Sequence, residues 1–136
     1  MHIALTHEQA DFDALASLLG VWLLDEEIIP VLPRRMNRNC QAFISFYGSE
    51  LPLVEPRDLP PEEVKLVTLV DTQSYITVKG AGEKTQVRVI DHHPRRLDLP
   101  DYWNVVNIES LGACTTIFVE RLHEIKKPLS SLQATL

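Results

Sequence analysis

The stretch Val87-Arg88-Val89-Ile90-Asp91-His92-His93 joins a short apolar run to three residues that can bind a metal ion. Valine and isoleucine without strict polar alternation are typical of a central strand that is covered on both faces. Asp91, His92 and His93 therefore stand at the end of a predicted strand, where α/β folds build their active sites. The stretch predicts an α/β protein with a parallel sheet and a polar site at the ends of its strands.

Two other predicted strands end in groups of the same kind. His7, Asp11 and Asp13 follow the first apolar run of the chain, and Asp71 follows the run at residues 67–70. Imidazole and carboxylate groups together suit Mn²⁺, Mg²⁺, Co²⁺ or Fe²⁺ better than a structural zinc ion. The simpler alternative is that Asp13 caps the following helix and His7 makes a hydrogen bond at a strand end. Histidines at two strand ends favour the metal site.

The bulk properties fit one domain without a membrane segment. With 136 residues, 45% of them hydrophobic, the chain can bury a core. No apolar run reaches the roughly 20 residues that cross a bilayer, and no signal peptide precedes the first strand, so we expect a cytoplasmic protein. Cys40 and Cys114 form no paired-cysteine motif, which argues against a zinc ribbon or a disulfide framework. The net charge of −6 argues against broad adhesion to nucleic acid, but not against a phosphate substrate held through metal ions.

Hydrophobic periodicity predicts alternating strands and helices. We expect strands at residues 2–6, 27–32, 64–70, 86–90 and 105–108, and helices at 13–24, 37–47, 112–124 and from about 130 onward. Asn37 is the expected cap of the second helix. Prolines make residues 51–61 a loop, although 51–54 could form a short strand, and 74–78 could form a short helix or strand. The last helix stops at Leu136 within its apolar pattern, so we expect the chain to be part of a longer protein.

The spacing His-x-x-x-Asp-x-Asp at residues 7–13, a lone aspartate at 71 and Asp-His-His at residues 91–93 resembles the DHH phosphoesterase superfamily. That superfamily includes RecJ-like exonucleases, oligoribonucleases, cyclic-dinucleotide phosphodiesterases and type II inorganic pyrophosphatases. Residues 6–14 are most similar to the version that begins large bacterial proteins carrying CBS domains and a tRNA nucleotidyltransferase. The resemblance implies a three-layer, Rossmann-like DHH domain at residues 1–136, truncated at its C-terminus and without the separate substrate-binding domain.

The resemblance also implies two Mn²⁺ ions, with Mg²⁺ or Co²⁺ as alternatives. His7, Asp11 and Asp71 would hold one ion. Asp13, Asp71 and His92 would hold part of the second, so that Asp71 bridges the pair. Family members supply one more aspartate farther along the chain, and its absence here leaves the second ion with fewer protein ligands.

Further site residues follow from the same resemblance. His93 would contact the substrate phosphate or donate a proton to the leaving group, and Asp91 would orient a histidine. His93 could instead be an ordinary polar residue at a strand end. Gly112 and Thr115 lie in a small-residue motif that resembles the family's phosphate-approaching turn, although a glycine turn with a threonine cap explains it equally well. Arg95 belongs to a basic pair that could meet phosphate at the cleft edge, and solvated surface is the alternative.

The implied function is metal-dependent hydrolysis of phosphodiester or phosphoanhydride bonds, in short oligonucleotides or nucleotides, by a hydroxide that two metals activate. The alternative is a regulatory or nucleotide-sensing module of a CBS and tRNA nucleotidyltransferase protein, with tRNA as a partner and little catalysis of its own. A third hypothesis is an unrelated doubly wound domain with incidental acidic strand ends, which predicts no metal binding. A second basic cluster, Arg34-Arg35 with Arg38, could also meet phosphates near the cleft, or could be solvated surface.

Overall fold

A computed structural model describes residues 1–136 as one five-stranded, fully parallel sheet with the strand order β2-β1-β3-β4-β5. The strands are β1 (His2–Leu5), β2 (Ile29–Pro30), β3 (Leu66–Val70), β4 (Gln86–Asp91) and β5 (Asn104–Asn107). The helices are α1 (Phe12–Leu24), α2 (Arg38–Tyr47), α3 (Thr115–Glu124) and α4 (Ser131–Thr135). The predicted α/β class with a layered parallel sheet is confirmed.

The order of the strands places the carboxyl ends of β1, β3 and β4 side by side. The chain goes from β1 to β2 on one side of the sheet, and then returns to place β3 on the other side of β1. This reversal is a topological switch point, where open α/β sheets hold their ligands in a crevice. His7 follows β1, Asp71 follows β3, and Asp91 is the last residue of β4, so all three lie at this edge.

Both faces of the sheet are apolar. Neighbouring residues of a strand point to opposite sides, and consecutive residues of the central strands are apolar, so each face receives apolar side chains. On one face Ala4, Val70 and Ile90 pack with residues of α1 and α3, including Phe118. On the other face the sheet packs against segments without regular structure, and this cluster comprises Ile3, Leu5, Val31, Val64, Val67, Leu69, Val78, Val87 and Val89. Helices, sheet and these segments form the three layers.

The helices begin where a side chain can accept from the free N–H groups of the first turn. Asn37 Oδ1 accepts from Cys40 N at 2.8 Å, which confirms the predicted cap of α2. The cap of α1 is Asp11, whose Oδ1 accepts from Ala14 N at 3.0 Å. The alternative that Asp13 caps this helix is therefore wrong, because α1 begins one residue earlier than predicted and Asp13 lies inside its first turn.

Several predicted elements are shorter than expected or absent. The strand expected at residues 27–32 is reduced to two residues, because Pro30 has no N–H for a ladder and Val31 instead forms an isolated bridge to Val54. The short strand considered at residues 51–54 does not form, apart from this single bridge at Val54. Residues 74–78 form neither helix nor strand. None of the helices combines the length and the apolar character that crossing a membrane requires.

Candidate metal centre

Asp71 is the central residue of the candidate site. It follows the last residue of β3, is only 3% exposed, and has the left-handed backbone angle φ 57°. This conformation costs about 1–2 kcal/mol for residues other than glycine, although aspartate tolerates it better than most residues. Its N–H donates to Ile90 O at 3.1 Å, so the neighbouring strand holds the turn in place. Backbone strain of this kind is concentrated at functional sites.

His7 and His92 both point their Nε2 atom at Asp71. His7 Nδ1 lies 2.8 Å from Glu8 O, and His92 Nδ1 lies 3.1 Å from Leu111 O. Because a backbone carbonyl only accepts, both Nδ1 atoms carry the proton and donate. In the neutral rings the lone pair is therefore on Nε2, and Nε2 lies 3.3 Å from Asp71 Oδ2 in His7 and 3.2 Å from Asp71 Oδ1 in His92. Metal-ligating histidines are held in this tautomer by such contacts.

A cation fits between these groups because one oxygen of Asp71 has no donor. Asp71 Oδ1 is buried and forms no hydrogen bond, although His92 Nε2 is close to it. A buried carboxylate oxygen without a donor costs free energy, and lone pairs that face it add repulsion. Without metal the centre binds a proton: the hydrogen bond to Asp71 raises the pKa of His7 to about 9, and burial raises the pKa of Asp71. A divalent cation would replace that proton and meet the unpaired oxygen.

The candidate ligands fall into two groups that share Asp71. His7, Asp11 and Asp71 form the first group, and Asp71, Asp91, His92 and His93 form the second, with the ligand atoms of each group within 4.8 Å of one another. Asp11 is exposed and uses Oδ1 to cap α1, which leaves its second oxygen free. The sharing of Asp71 is the arrangement that a bridged pair of cations requires.

Asp13 is held by the start of α3. Its carboxylate accepts from Cys114 N at 2.9 Å, from Thr115 N at 2.8 Å and from the Thr115 hydroxyl. Burial alone would raise the pKa of Asp13, but these hydrogen bonds outweigh it and lower the pKa. His92 Nε2 is 3.5 Å from Asp13 Oδ2, so Asp13 borders the centre while it joins α1 to α3.

Asp91 and His93 form a pair that is braced by Gln73. His93 Nδ1 donates to Asp91 Oδ1 at 2.8 Å, which leaves His93 Nε2 as the free nitrogen of an exposed ring. Gln73 is buried, and its Nε2 donates to Asp91 Oδ2 at 2.7 Å while its Oε1 accepts from Arg96 N at 2.8 Å. The hydrogen bond from His93 to Asp91 fixes the direction of the His93 ring, and the role of Asp91 in orienting a functional histidine stays a prediction. Gln73 was missed, since a lone glutamine beyond a strand has no motif.

An open cavity of about 330 Å³ lies over the centre. It is lined by His7, Asp71, Thr72, Gln73, Asp91, His93, Pro94 and Arg96. Arg96 therefore reaches the cavity and the predicted Arg95 does not line it. The Arg96 guanidinium lies 2.6 Å from Asp98 and 3.1 Å from Ser74 Oγ, so its direction is fixed by neighbours on the rim.

Comparison with known families gives a match over nearly the whole chain. The sequence matches the DHH family, N-terminal domain, over residues 2–136. The chain belongs to the DHH family. Its DHH domain is also similar to two curated proteins, each called an A-adding tRNA nucleotidyltransferase. The protein from Geobacter sulfurreducens is 26% identical over 143 residues, which cover 100% of this chain and 16% of the relative. The protein from Aquifex aeolicus is 28% identical over 136 residues, which cover 98% of this chain and 15% of the relative.

The small-residue motif of this DHH domain is arranged differently from the expectation. Thr115 was predicted to approach a substrate phosphate, but its N–H and its hydroxyl both bind Asp13. Gly112 has open space where a side chain would lie, so no close approach to another group explains the glycine. The start of α3 thus already holds an anion, and that anion is a side chain of the domain. Cys114 is fully buried, and burial raises the pKa of its thiol to about 12, which makes it a poor nucleophile.

Proposed function

We propose that this DHH domain binds divalent cations and hydrolyses phosphodiester or phosphoanhydride bonds of nucleotides or short oligonucleotides, as the N-terminal part of a longer protein. The observation that carries the proposal is Asp71, a buried carboxylate whose two oxygens each face a fixed imidazole and one of whose oxygens forms no hydrogen bond. Mn²⁺ is the ion we expect, because mixed imidazole and carboxylate ligands suit it, and Mg²⁺ and Co²⁺ are alternatives.

The ligand sets follow from the two groups of residues. His7, Asp11 and Asp71 would hold the first ion. Asp71 and His92 would hold the second, which Asp13 borders at 3.5 Å from His92 Nε2. When bound, such ions lower the pKa of water and stabilise the charge that develops on a phosphoryl group.

His93 is proposed to contact the phosphate or to give a proton to the leaving oxygen. Its Nδ1–H is fixed on Asp91, so Nε2 is the nitrogen left free on a ring that lines the cavity. In its protonated form the ring can donate from both nitrogens, to Asp91 through Nδ1 and to the leaving oxygen through Nε2. Gln73 keeps Asp91 in place, and the rim residue Arg96 adds a positive charge near the substrate position.

The test is a calorimetric titration of the full-length protein with Mn²⁺, followed by hydrolysis assays with a short RNA and a cyclic dinucleotide. We expect two Mn²⁺ ions and metal-dependent hydrolysis for the wild type. Asp71→Asn should lose both, because it removes charge from the residue that the two ligand groups share. Asp101→Asn is the matched control, since Asp101 is exposed and outside the site. Unchanged Mn²⁺ stoichiometry and hydrolysis in Asp71→Asn would show that the proposal is wrong.

The second candidate is a nucleotide-sensing or RNA-processing module with little catalysis of its own. Two observations favour it: both relatives are tRNA nucleotidyltransferases of which the chain spans about one sixth, and Asp13 is committed to α3. This reading predicts Mn²⁺ and nucleotide binding without hydrolysis. It also predicts that Asp71→Asn changes the tRNA-directed activity of the longer protein.

A further inference from the structure

One segment of this acidic chain is uniformly basic. Between Glu27 and Glu50 there are three arginines, Arg34, Arg35 and Arg38, and no acidic residue, although the net charge of the chain is −6. All three are exposed, and none forms an ion pair within the chain. Their charge is therefore available to an anionic partner.

The basic segment lies directly beside the loop that carries the first ligand group. Ala10 and Met36 form a parallel bridge, in which Ala10 N donates to Arg35 O at 3.3 Å and Asn37 N donates to Ala10 O at 2.9 Å. Arg35 N also donates to Glu8 Oε2 at 3.0 Å. These bonds fix the segment against residues 8–10, which separate His7 from Asp11.

A row of aromatic rings continues from this point along α2. Phe12, which follows Asp11, packs edge-on against Phe43 with ring centroids 5.7 Å apart. Phe43 contacts Tyr47 at 5.2 Å, and Tyr47 contacts Phe46 at 6.3 Å. Phe46 is 79% exposed and Tyr47 is 44% exposed. We refer to these four rings as the aromatic row.

The open rings of Phe46 and Tyr47 are not needed to hold α2 in place. Cys40 is fully buried, Ile44 packs against the same core cluster and Phe43 packs against a second one, so these three side chains make the attachment. Large aromatic side chains that remain open to water beside unpaired arginines indicate a surface for a partner. Aromatic faces combined with a basic track are the means by which proteins bind single-stranded nucleic acid without reading its sequence.

We propose that the aromatic row and Arg34, Arg35 and Arg38 form a binding surface for a single strand of nucleic acid that leads into the metal centre. The inference rests on the proposed function, since it specifies the substrate as a strand and not a small nucleotide. Phosphates pair with the arginines, and unpaired bases stack on Phe46 and Tyr47. A protein partner is less suited, because the segment that carries these arginines and α2 has no acidic residue of its own, which matches a polyanion. The helix is about 15 Å long, which accommodates roughly four nucleotides at a rise of 3.4 Å.

The test is fluorescence anisotropy of the full-length protein with fluorescein-labelled octa-adenylate RNA in EDTA, which separates strand binding from metal-dependent chemistry. Phe46→Leu with Tyr47→Leu removes the open rings and keeps apolar side chains, and the affinity should fall roughly 5- to 100-fold. Arg34, Arg35 and Arg38, all changed to Gln, should make the slope of log affinity against log salt shallower by about 2. The matched control changes Lys65, Lys79 and Lys84 to Gln, because these exposed lysines lie toward the amino ends of β3 and β4.

Two further ligands, a single-stranded DNA and a duplex, test what the surface recognises. A single-stranded DNA octamer shows whether the strand must be RNA, and a duplex of the same length should bind without dependence on Phe46 and Tyr47, because its bases are already stacked. The inference is overturned if the leucine variant binds the RNA as tightly as the wild type, or if the lysine control weakens binding as much as the arginine variant. It is also overturned if sedimentation shows that the leucine variant alters only self-association, since the row would then be a protein interface.

The result is independent of the test for hydrolysis. Strand binding in EDTA with no turnover in Mn²⁺ would remove the proposed function and retain the surface. Turnover of a dinucleotide, together with strand binding that does not depend on the aromatic row, would support the proposed function and remove the surface.

Discussion

Replacement of Asp13 by Asn separates two roles that this carboxylate could have. The resemblance to the family assigns Asp13 to a metal ion, whereas in the structure it binds the start of α3 through Cys114 N, Thr115 N and the Thr115 hydroxyl. We expect Asp13→Asn to destabilise the fold even when no metal is present. A residue that acts only as a metal ligand would not have this effect.

The expected loss is about 2–3 kcal/mol of unfolding free energy, and it follows from the hydrogen bonds. Each bond to a charged acceptor contributes roughly 1.5–3 kcal/mol, and Asn keeps only one acceptor oxygen. Its NH₂ group would face one of the backbone N–H donors, so at least one bond is replaced by a donor facing a donor. The side chain of Asp13 is 22% exposed, and partial access of water places the loss below the sum for three bonds.

The assay is urea unfolding in EDTA at pH 7, with Asp11→Asn as the control. Asp11 is the cap of α1, and Asn caps a helix as well as Asp, so this change should stay within about 0.5 kcal/mol of the wild type. The difference between wild type and Asp13→Asn should also depend on pH. Because the folded pKa of Asp13 lies below the ordinary 3.8, its stabilisation is present above that value and is lost as pH falls through the folded pKa. A loss under about 0.5 kcal/mol in EDTA, with Mn²⁺ binding abolished, would refute the structural role.

Three more predictions test the centre and the packing around it. Gln73→Leu should lower metal-dependent turnover about 10- to 100-fold while Mn²⁺ still binds, because Asp91, which orients the proposed catalytic residue His93, loses its hydrogen bond to Gln73. A rate equal to wild type in steady-state kinetics would contradict this. Gly20→Ala should destabilise the fold by about 1–3 kcal/mol in urea unfolding, since a Cβ there lies 2.6 Å from Phe118 Cβ, whereas Gly82→Ala, in open space, should have little effect. Mn²⁺ binding at pH 7.5 should release about one proton, because the pKa of His7 is about 9 without metal; equal binding enthalpies in Hepes and Tris would argue against it.

The sequence predicts those features of the fold that depend on neighbours along the chain. Apolar runs without alternation locate the central strands, and the cap at Asn37 follows from its place before an apolar period. The edge strand at residues 27–32 was overestimated, because its apolar character reflects packing while Pro30 limits its pairing. An apolar pattern in the sequence predicts which side chains are buried better than it predicts which backbone groups form hydrogen bonds to a neighbouring strand.

The parts of the site that were missed depend on contacts between distant residues. Asp13 and Thr115 are 102 positions apart, and nothing near either one indicates that the carboxylate will cap α3. Arg95 and Arg96 are adjacent in an irregular segment, where no period tells which side chain faces the cavity. Gln73 acts only because the fold brings Asp91 and the backbone of Arg96 to it.

The hydrogen bonds of the buried carboxylates indicate where a cation is required. Asp91 is fully buried and has donors on both oxygens, from His93 and Gln73, and Asp13 has three donors of its own. Asp71 alone keeps a buried oxygen without a hydrogen bond. Because an unpaired buried oxygen destabilises the metal-free fold, a cation gains the largest free energy beside Asp71. The first ion to bind should therefore be one that Asp71 holds, before any rearrangement of Asp13 that a complete second site would need.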